Sequence, residues 1–289
     1  MPVASNIFIK LRELRDSMTP IERTILEYIL QNRDEIPQLS IKELAKRSRT
    51  SDASVLRFCK TLGYRGYRDF IVAVSAALAS SVEKEQSAYT DIRPGDDLST
   101  IIDNISFTNC TSIQDTMSVI DRGAIGRAVE QLKTANYIVF YGVGASGLVC
   151  MDAQQKFARI GKTCFAYTDG HSQLTSACLL RPGDVAVLIS NSGDTSEILD
   201  TLQVVKQTGA AVVAITRYAK SDLAEEADIV LSISTPEITI RSGAMGSRIA
   251  MLNIIDILFA GVASSDYENV KKYLTKTHNV LRNKHQHLI

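Results

Sequence analysis

Apolar residues recur at three- and four-residue spacing through the first quarter of the chain, then gather into short continuous runs in its second half. Ile7, Leu11 and Leu14 share one helical face, and Ile21, Ile25 and Ile29 take up the same period further on. Between them, Thr19-Pro20-Ile21-Glu22 predicts a helix start. Thr19 caps, Pro20 brings the φ of a first turn, and Glu22 stands three after the cap. Ser40-Ile41-Lys42-Glu43 repeats that capping box and opens a short helix, with Ile41 and Leu44 inward, that ends near Arg47. Ser48-Arg49-Thr50 makes a tight connection, and Ser51 caps a further helix running to Gly63. In that helix Val55, Phe58, Cys59 and Leu62 form the buried stripe. Two short helices joined by so short a turn are the helix-turn-helix pattern.

Residues 83–97 carry Gln86, Ser87, Pro94 and Gly95 and little apolar periodicity, as a connection between domains does. Amphipathic helices are predicted over 98–119 and 122–134, packed either on the next domain or across a dimer. Beyond them, apolar runs at 137–141, 163–167, 185–190, 211–216 and 229–233 alternate with helical stretches. Continuous Val, Ile and Leu runs in that alternation argue for a parallel sheet covered by helices on both faces. The predicted organisation is an all-α helix-turn-helix domain over 1–80, a linker over 81–97, and an α/β three-layer domain with a five-stranded parallel sheet over 98–289.

A length of 289 residues, 45% of them hydrophobic, suits two domains with cores of their own. The five cysteines form no C-x-x-C pair and mostly sit in apolar stretches, as reduced thiols do. No apolar run approaches the roughly 18–20 residues that cross a bilayer, so a cytoplasmic chain is expected. A net charge of zero hides an asymmetry: residues 1–75 hold 13 Lys and Arg against 9 Asp and Glu. From Lys42 to Arg68, 8 basic side chains face only Glu43 and Asp52, the footprint of a polyanion-binding surface. The helix after Ser51 turns Asp52, Ser54, Arg57, Lys60 and Thr61 away from its apolar stripe. Short polar residues at its start, with Arg57 a turn later, suit entry into a major groove. Arg57 can read guanine, while Arg49 and Lys60 neutralise phosphates. An ordinary solvated face on a three-helix bundle carries the same charges.

Ligands of open parallel sheets sit beyond the carboxyl ends of strands. The first strand is followed by Gly142-Val143-Gly144-Ala145-Ser146-Gly147, a formal G-x-G-x-x-G. A dinucleotide site also needs an acid about 20 residues on. Asp169 lies 27 beyond Gly142, so the match is weak and no cofactor is expected. The third strand is followed by Ser190-Asn191-Ser192-Gly193-Asp194-Thr195, three hydroxyls around a glycine at a helix start. Exposed N–H groups and the dipole there favour a phosphate, although a single Ser or Thr in that place is only a cap. Asp169-Gly170-His171 follows the second strand, where a neutral imidazole can bond a sugar oxygen or simply a backbone partner. Glu237 and Arg241 follow the fifth strand, before a long apolar helix that Ser242 can cap. His278, His285 and His287 belong to the tail, with no metal ligands beside the latter two, so no metal is expected.

The stretch Ser51 to Phe70, with its run V-x-R-F-C-K-x-L-G-Y-x-G-Y-x-D-F, resembles the helix-turn-helix of the RpiR family of bacterial regulators. The two loops, G-x-G-x-S and S-x-S-G-x-T, resemble those of the SIS, or sugar isomerase, domain. Together these resemblances cover nearly the whole chain. They imply that Ser190, Ser192 and Thr195, with Asn191 among them, hold a phosphate and that Gly144 and Ser146 contribute from the first loop. They further imply that His171 and an acid in the region of Glu237 read the sugar, while Arg241 can assist the phosphate or join a dimer-interface ion pair. The D-x-H and E-x-x-x-R-S patterns are similar to those of regulators for N-acetylated amino-sugar 6-phosphates.

The SIS fold also hosts isomerases, for which His171 or Glu237 can act as base, so fold alone assigns no function. A basic helix-turn-helix has no use in an enzyme acting on a free metabolite. The expected function is therefore a DNA-binding repressor of sugar or amino-sugar catabolism, not an enzyme. The expected partners are a palindromic DNA operator read by Arg49, Ser51, Ser54, Arg57 and Lys60, a phosphosugar effector and a second copy of the chain.

Overall fold

The computed structural model describes residues 7–80, 95–236 and 244–286. Five helices build the N-terminal part: α1 (Ile7–Leu14), α2 (Pro20–Gln31), α3 (Ile41–Arg47), α4 (Asp52–Thr61) and α5 (Tyr67–Ser80). Both capping boxes form. Thr19 and Ser40 each accept a bond from the amide three residues on, and Glu22 and Glu43 reach back to the cap amides. Ser51 accepts from the Ser54 amide at the start of α4. Val55, Phe58, Cys59 and Leu62 close over Ile25, Leu26 and Ile29 of α2 and Leu44 of α3. One expected inward residue is not there: Ile21 is 55% exposed, because the buried stripe of α2 runs through Glu22, Ile25, Leu26 and Ile29.

Two helices, α6 (Leu98–Val119) and α7 (Arg122–Thr134), lead into the second domain. There β1 (Ile138–Gly142), α8 (Ala145–Arg159), β2 (Cys164–Tyr167), α9 (Gly170–Ala177) and β3 (Val185–Ile189) alternate. They are followed by α10 (Ser196–Thr208), β4 (Ala211–Arg217), α11 (Asp222–Glu226), β5 (Ile229–Ile233), α12 (Met245–Ser265) and α13 (Tyr267–Gln286). The five strands are parallel, in the order β2-β1-β3-β4-β5. One face packs Phe140, Val187 and Ile215 against α7, α8 and α12, and the other packs Tyr141, Leu188 and Ala214 against α9, α10 and α11. The central strands β1, β3 and β4 are buried on both faces, which explains why their sequence is continuous rather than alternating.

The 21-residue α12 corrects the expectation about apolar length, being long and apolar enough by composition to cross a membrane. Its place in the fold accounts for that composition. It packs on α6, α7, α8 and β5, and Ile254, Ile255 and Leu258 are fully buried. Of the cysteines, Cys59, Cys150 and Cys164 are buried while Cys110 and Cys178 are exposed. Burial pushes the Cys59 thiol up to about 12, far from reactive thiolate.

Candidate functional site

The chain reverses its direction of travel across the sheet between β1 and β3, so the loops after those two strands flank the switch point where open α/β sheets bind ligands. The loop after β1 turns through Gly144 at φ +57, a conformation that suits glycine, and delivers Ser146 into the first turn of α8. The Ser146 hydroxyl faces the recess side of α12, donating to Met251 Sδ at 3.9 Å. After β3, Gly193 also adopts a positive φ, and a Cβ there would run into the hydroxyl of Ser221. The loop therefore folds tightly back, bringing three hydroxyls together. Ser190 Oγ lies 2.9 Å from Thr195 Oγ1 and 3.4 Å from Ser192 Oγ, and the Ser192–Thr195 pair closes the triangle at 3.3 Å. The amide of Gly193 donates to Ser190 Oγ at 3.1 Å, and that of Asp194 to Ser192 Oγ at 3.3 Å.

Thr195 occupies the N-cap of α10 but makes no side-chain cap bond, so its hydroxyl faces the other two. Ser146, Ser190, Asn191, Ser192 and Thr195 line a recess of about 120 Å³, closed on the far side by Ser247, Arg248 and Met251 of α12. Arg248 is the one charged side chain among its described lining residues. Hydroxyls, the N-terminus of a 13-residue helix and one guanidinium are the groups that complement an anion. Arg248 escaped the sequence reading, which singled out Glu237 and Arg241 ahead of the apolar helix but nothing within it. Only the first turn of α12 swings it over the β3 loop. The Asn191 side chain is buried, and its Oδ1 has no hydrogen-bond partner.

His171 is not brought into this recess. It lines a separate depression of about 950 Å³ on the free β2 edge, with Tyr137, Phe165, Tyr167, Ser172 and Thr175. The cause is topological: β1 stands between β2 and β3, so a residue just past β2 starts one strand away from the loop after β3. Asp169 serves as the cap of α9, accepting from the Ser172 amide at 3.0 Å, a bond that holds its carboxyl below the ordinary range. Glu237, Arg241 and Ser242 lie outside the described residues, as does His287. Among the described residues no cluster of three His, Cys, Asp or Glu is assembled that can hold a metal.

On the N-terminal domain the turn between α3 and α4 is sealed by the Thr50 amide on Ala45 O at 2.8 Å, with Arg49 at φ +54 and exposed. Ser51, Arg57 and Lys60 are exposed on one side of α4, and Ser54 is half-buried with its hydroxyl 2.9 Å from that of Ser51. Thr61, placed on the same face by its spacing, is engaged elsewhere: it donates to Glu22 Oε1 at 2.8 Å and ties α4 to α2. The aromatic half of the long run is packing. Phe70 stands edge-on to Phe58 and Tyr64, and the Tyr67 hydroxyl donates to Leu39 O at 2.9 Å.

Comparison with known proteins covers both parts. The family model described as the helix-turn-helix domain of the rpiR family matches residues 5–81, and that of the SIS domain matches residues 131–261. An HTH-type transcriptional regulator of Caldanaerobacter subterraneus is 43% identical over 96% of this chain and 97% of its own. The HTH-type transcriptional regulator YbbH of Bacillus subtilis is 34% identical over 92% and 94%. Among solved structures, the Vibrio vulnificus NanR protein complexed with ManNAc-6P is 28% identical and covers 96% of this chain and 98% of that one, with a TM-score of 0.61. The chain belongs to the RpiR family of helix-turn-helix transcriptional regulators, with a SIS domain as its C-terminal half.

Proposed function

We propose that this regulator is a cytoplasmic repressor of sugar or amino-sugar catabolism whose hold on its operator is set by a phosphorylated sugar, specifically an N-acetyl amino-sugar 6-phosphate. One observation carries the reading: the Ser190, Ser192 and Thr195 hydroxyls form a triangle beside Arg248 at a helix N-terminus, in a chain that also presents Arg57 and Lys60 on a helix-turn-helix. The end-to-end match to a relative solved with ManNAc-6P supports the sugar class. Ligand pockets usually enclose about 300–1,000 Å³. A recess of about 120 Å³ therefore takes the phosphoryl end, with Gly144 and Asn191 shaping the backbone around it, and leaves the sugar outside. Two copies paired through their SIS domains place two α4 helices on the half-sites of a palindrome, and Arg49, Ser51, Ser54, Arg57 and Lys60 meet the DNA.

The test uses the purified chain, an operator selected from random duplexes, and a panel of N-acetylmannosamine 6-phosphate, N-acetylglucosamine 6-phosphate, glucose 6-phosphate and inorganic phosphate. A state-selective ligand raises apparent stability, so one sugar phosphate should lift the melting temperature and change operator affinity. Ser190→Ala combined with Ser192→Ala should abolish both responses and leave unliganded operator binding within about twofold, since neither hydroxyl lies on the exposed face of α4. A normal response in that double variant defeats the phosphate loop assignment. Isomerisation of any panel member by the purified chain makes it an enzyme instead, and reporter expression that rises with unliganded protein removes the repressor role.

A further inference from the structure

A charged cluster lies buried where the DNA-binding domain meets the sheet. Glu13, near the end of α1, is 5% exposed. Its Oε1 accepts from Ser234 Oγ at 3.0 Å and from Arg12 Nη2 at 3.3 Å, and its Oε2 faces Arg217 Nε at 3.5 Å. Arg12 Nη2 in turn reaches Asp115 Oδ2 of α6 at 2.7 Å and Ser234 Oγ at 3.1 Å. Ser234 is pinned to α6 from its other side, since Thr116 Oγ1 accepts from its amide and donates to its carbonyl, both at 3.1 Å. One carboxylate of the DNA-binding domain is thus gripped by the carboxyl ends of β4 and β5.

Those strand ends also hold the phosphate loop. The Arg217 amide donates to the carbonyl of Asn191 at 3.3 Å, and the Ser190 amide to Ile215 O at 3.1 Å. Asn191 sits between the two serines whose hydroxyls line the anion recess. From recess to DNA-binding domain the connection is therefore short: a loop carbonyl, the backbone of Arg217, its guanidinium, and Glu13. The contact is a polar one. Burying a carboxylate is costly unless its partners compensate in full. Here burial pushes the Glu13 carboxyl up from its ordinary range against the opposing pull of Arg12, Ser234 and Arg217, so compensation is incomplete. Packed interfaces of this kind take up discrete arrangements rather than deforming continuously.

We propose that Glu13 is the latch between the two sites: its ion pair with Arg217 and its hydrogen bond from Ser234 hold α1 on the sheet in one state of the phosphate loop and release it in the other. The proposal rests on sugar-phosphate control of DNA binding and names the element that transmits it. Glu13 is a positioning residue and touches neither ligand. A merely structural ion pair alters stability, whereas a latch alters the ratio of operator affinities with and without effector.

The experiment compares wild type with Glu13→Gln in the full-length chain. N-acetylmannosamine 6-phosphate is the probe, or whichever panel member binds wild type best. In wild type the effector should change operator affinity by roughly 5–150-fold. In Glu13→Gln that ratio should fall to within about twofold of unity, while the affinity for sugar phosphate without DNA stays within about threefold, since the variant lies outside the recess. A ratio that stays at the wild-type value overturns the latch. If Glu13→Gln does not fold, Ser234→Ala removes one bond to the same carboxylate and is read in the same way. Hydrogen exchange on the free protein separates failure of the latch from failure of sugar control. Where no panel member affects wild type, the sugar reading has failed. The latch is then judged on the α1 and α6 amides, which should exchange about tenfold faster or more in the variant. Unchanged protection there overturns it as well.

Discussion

Arg57 shows what one side chain contributes once its neighbours are placed. It is exposed on α4, one turn past a capped start, on the side opposite Val55, Phe58 and Cys59. That position matches the geometry in which a recognition helix offers its first turns to base edges. Arg57→Ala should weaken operator binding by about 1–3 kcal/mol and relax specificity at one base pair, as for a lost bidentate guanine contact. Lys60→Ala should weaken all duplexes alike and flatten the salt dependence. Fluorescence anisotropy on the operator and a panel of single-base variants distinguishes the two, and equal losses across the panel for Arg57→Ala would remove its base-reading role. Other residues changed meaning on folding. Thr61 has the spacing of a surface residue and is spent on Glu22, and Ile21 has the spacing of a core residue and faces water.

Among the elements, the short helices depend on their ends. The seven residues of α3 are too few to persist alone, and its capping box supplies partners for amides that no helix bond can satisfy. Ser40→Ala should lower the stability of the N-terminal domain by about 0.5–2 kcal/mol, read from the urea midpoint. The same box has a pH signature. The Ser40 hydroxyl and then its amide hold the exposed Glu43 carboxyl below its ordinary value. A carboxyl depressed in the folded state stabilises above its unfolded pKa and loses that contribution as pH falls through the folded one. The difference between wild type and Ser40→Ala should therefore shrink once the pH drops below about 4. A gap that is flat from neutrality into acid would mean that Glu43 takes no part. Longer elements behave differently: α12 needs no N-terminal side-chain cap, because core packing over 21 residues holds it.

For the whole molecule, the two domains are of use to each other only if their binding free energies are linked. Linkage is reciprocal. Whatever factor the phosphosugar imposes on operator affinity, operator DNA must impose on phosphosugar affinity. Titration calorimetry of the sugar phosphate with and without saturating duplex should return the same factor as operator binding with and without sugar, and unequal factors would mean that the two measurements do not share one pair of states. The fold supplies a short route for that linkage, since α1 sits on α6 and on the ends of β4 and β5, whose amides and carbonyls also brace the phosphate loop.

Local order in the chain by itself determined the helix starts at Thr19, Ser40 and Ser51, the helix-turn-helix, the five strands and the hydroxyl-rich loop after the third. Capping, periodicity and continuous β-branched runs act over a few residues, so they are written where they act. Tertiary structure alone decided which distant residues meet. Arg248 reaches the Ser190 loop because the first turn of α12 is packed beside it, His171 is held off it because β1 intervenes, and Glu13 finds Ser234 across 221 positions. Such meetings follow from sheet order and helix packing, which are properties of the folded whole, and no spacing along the chain encodes them.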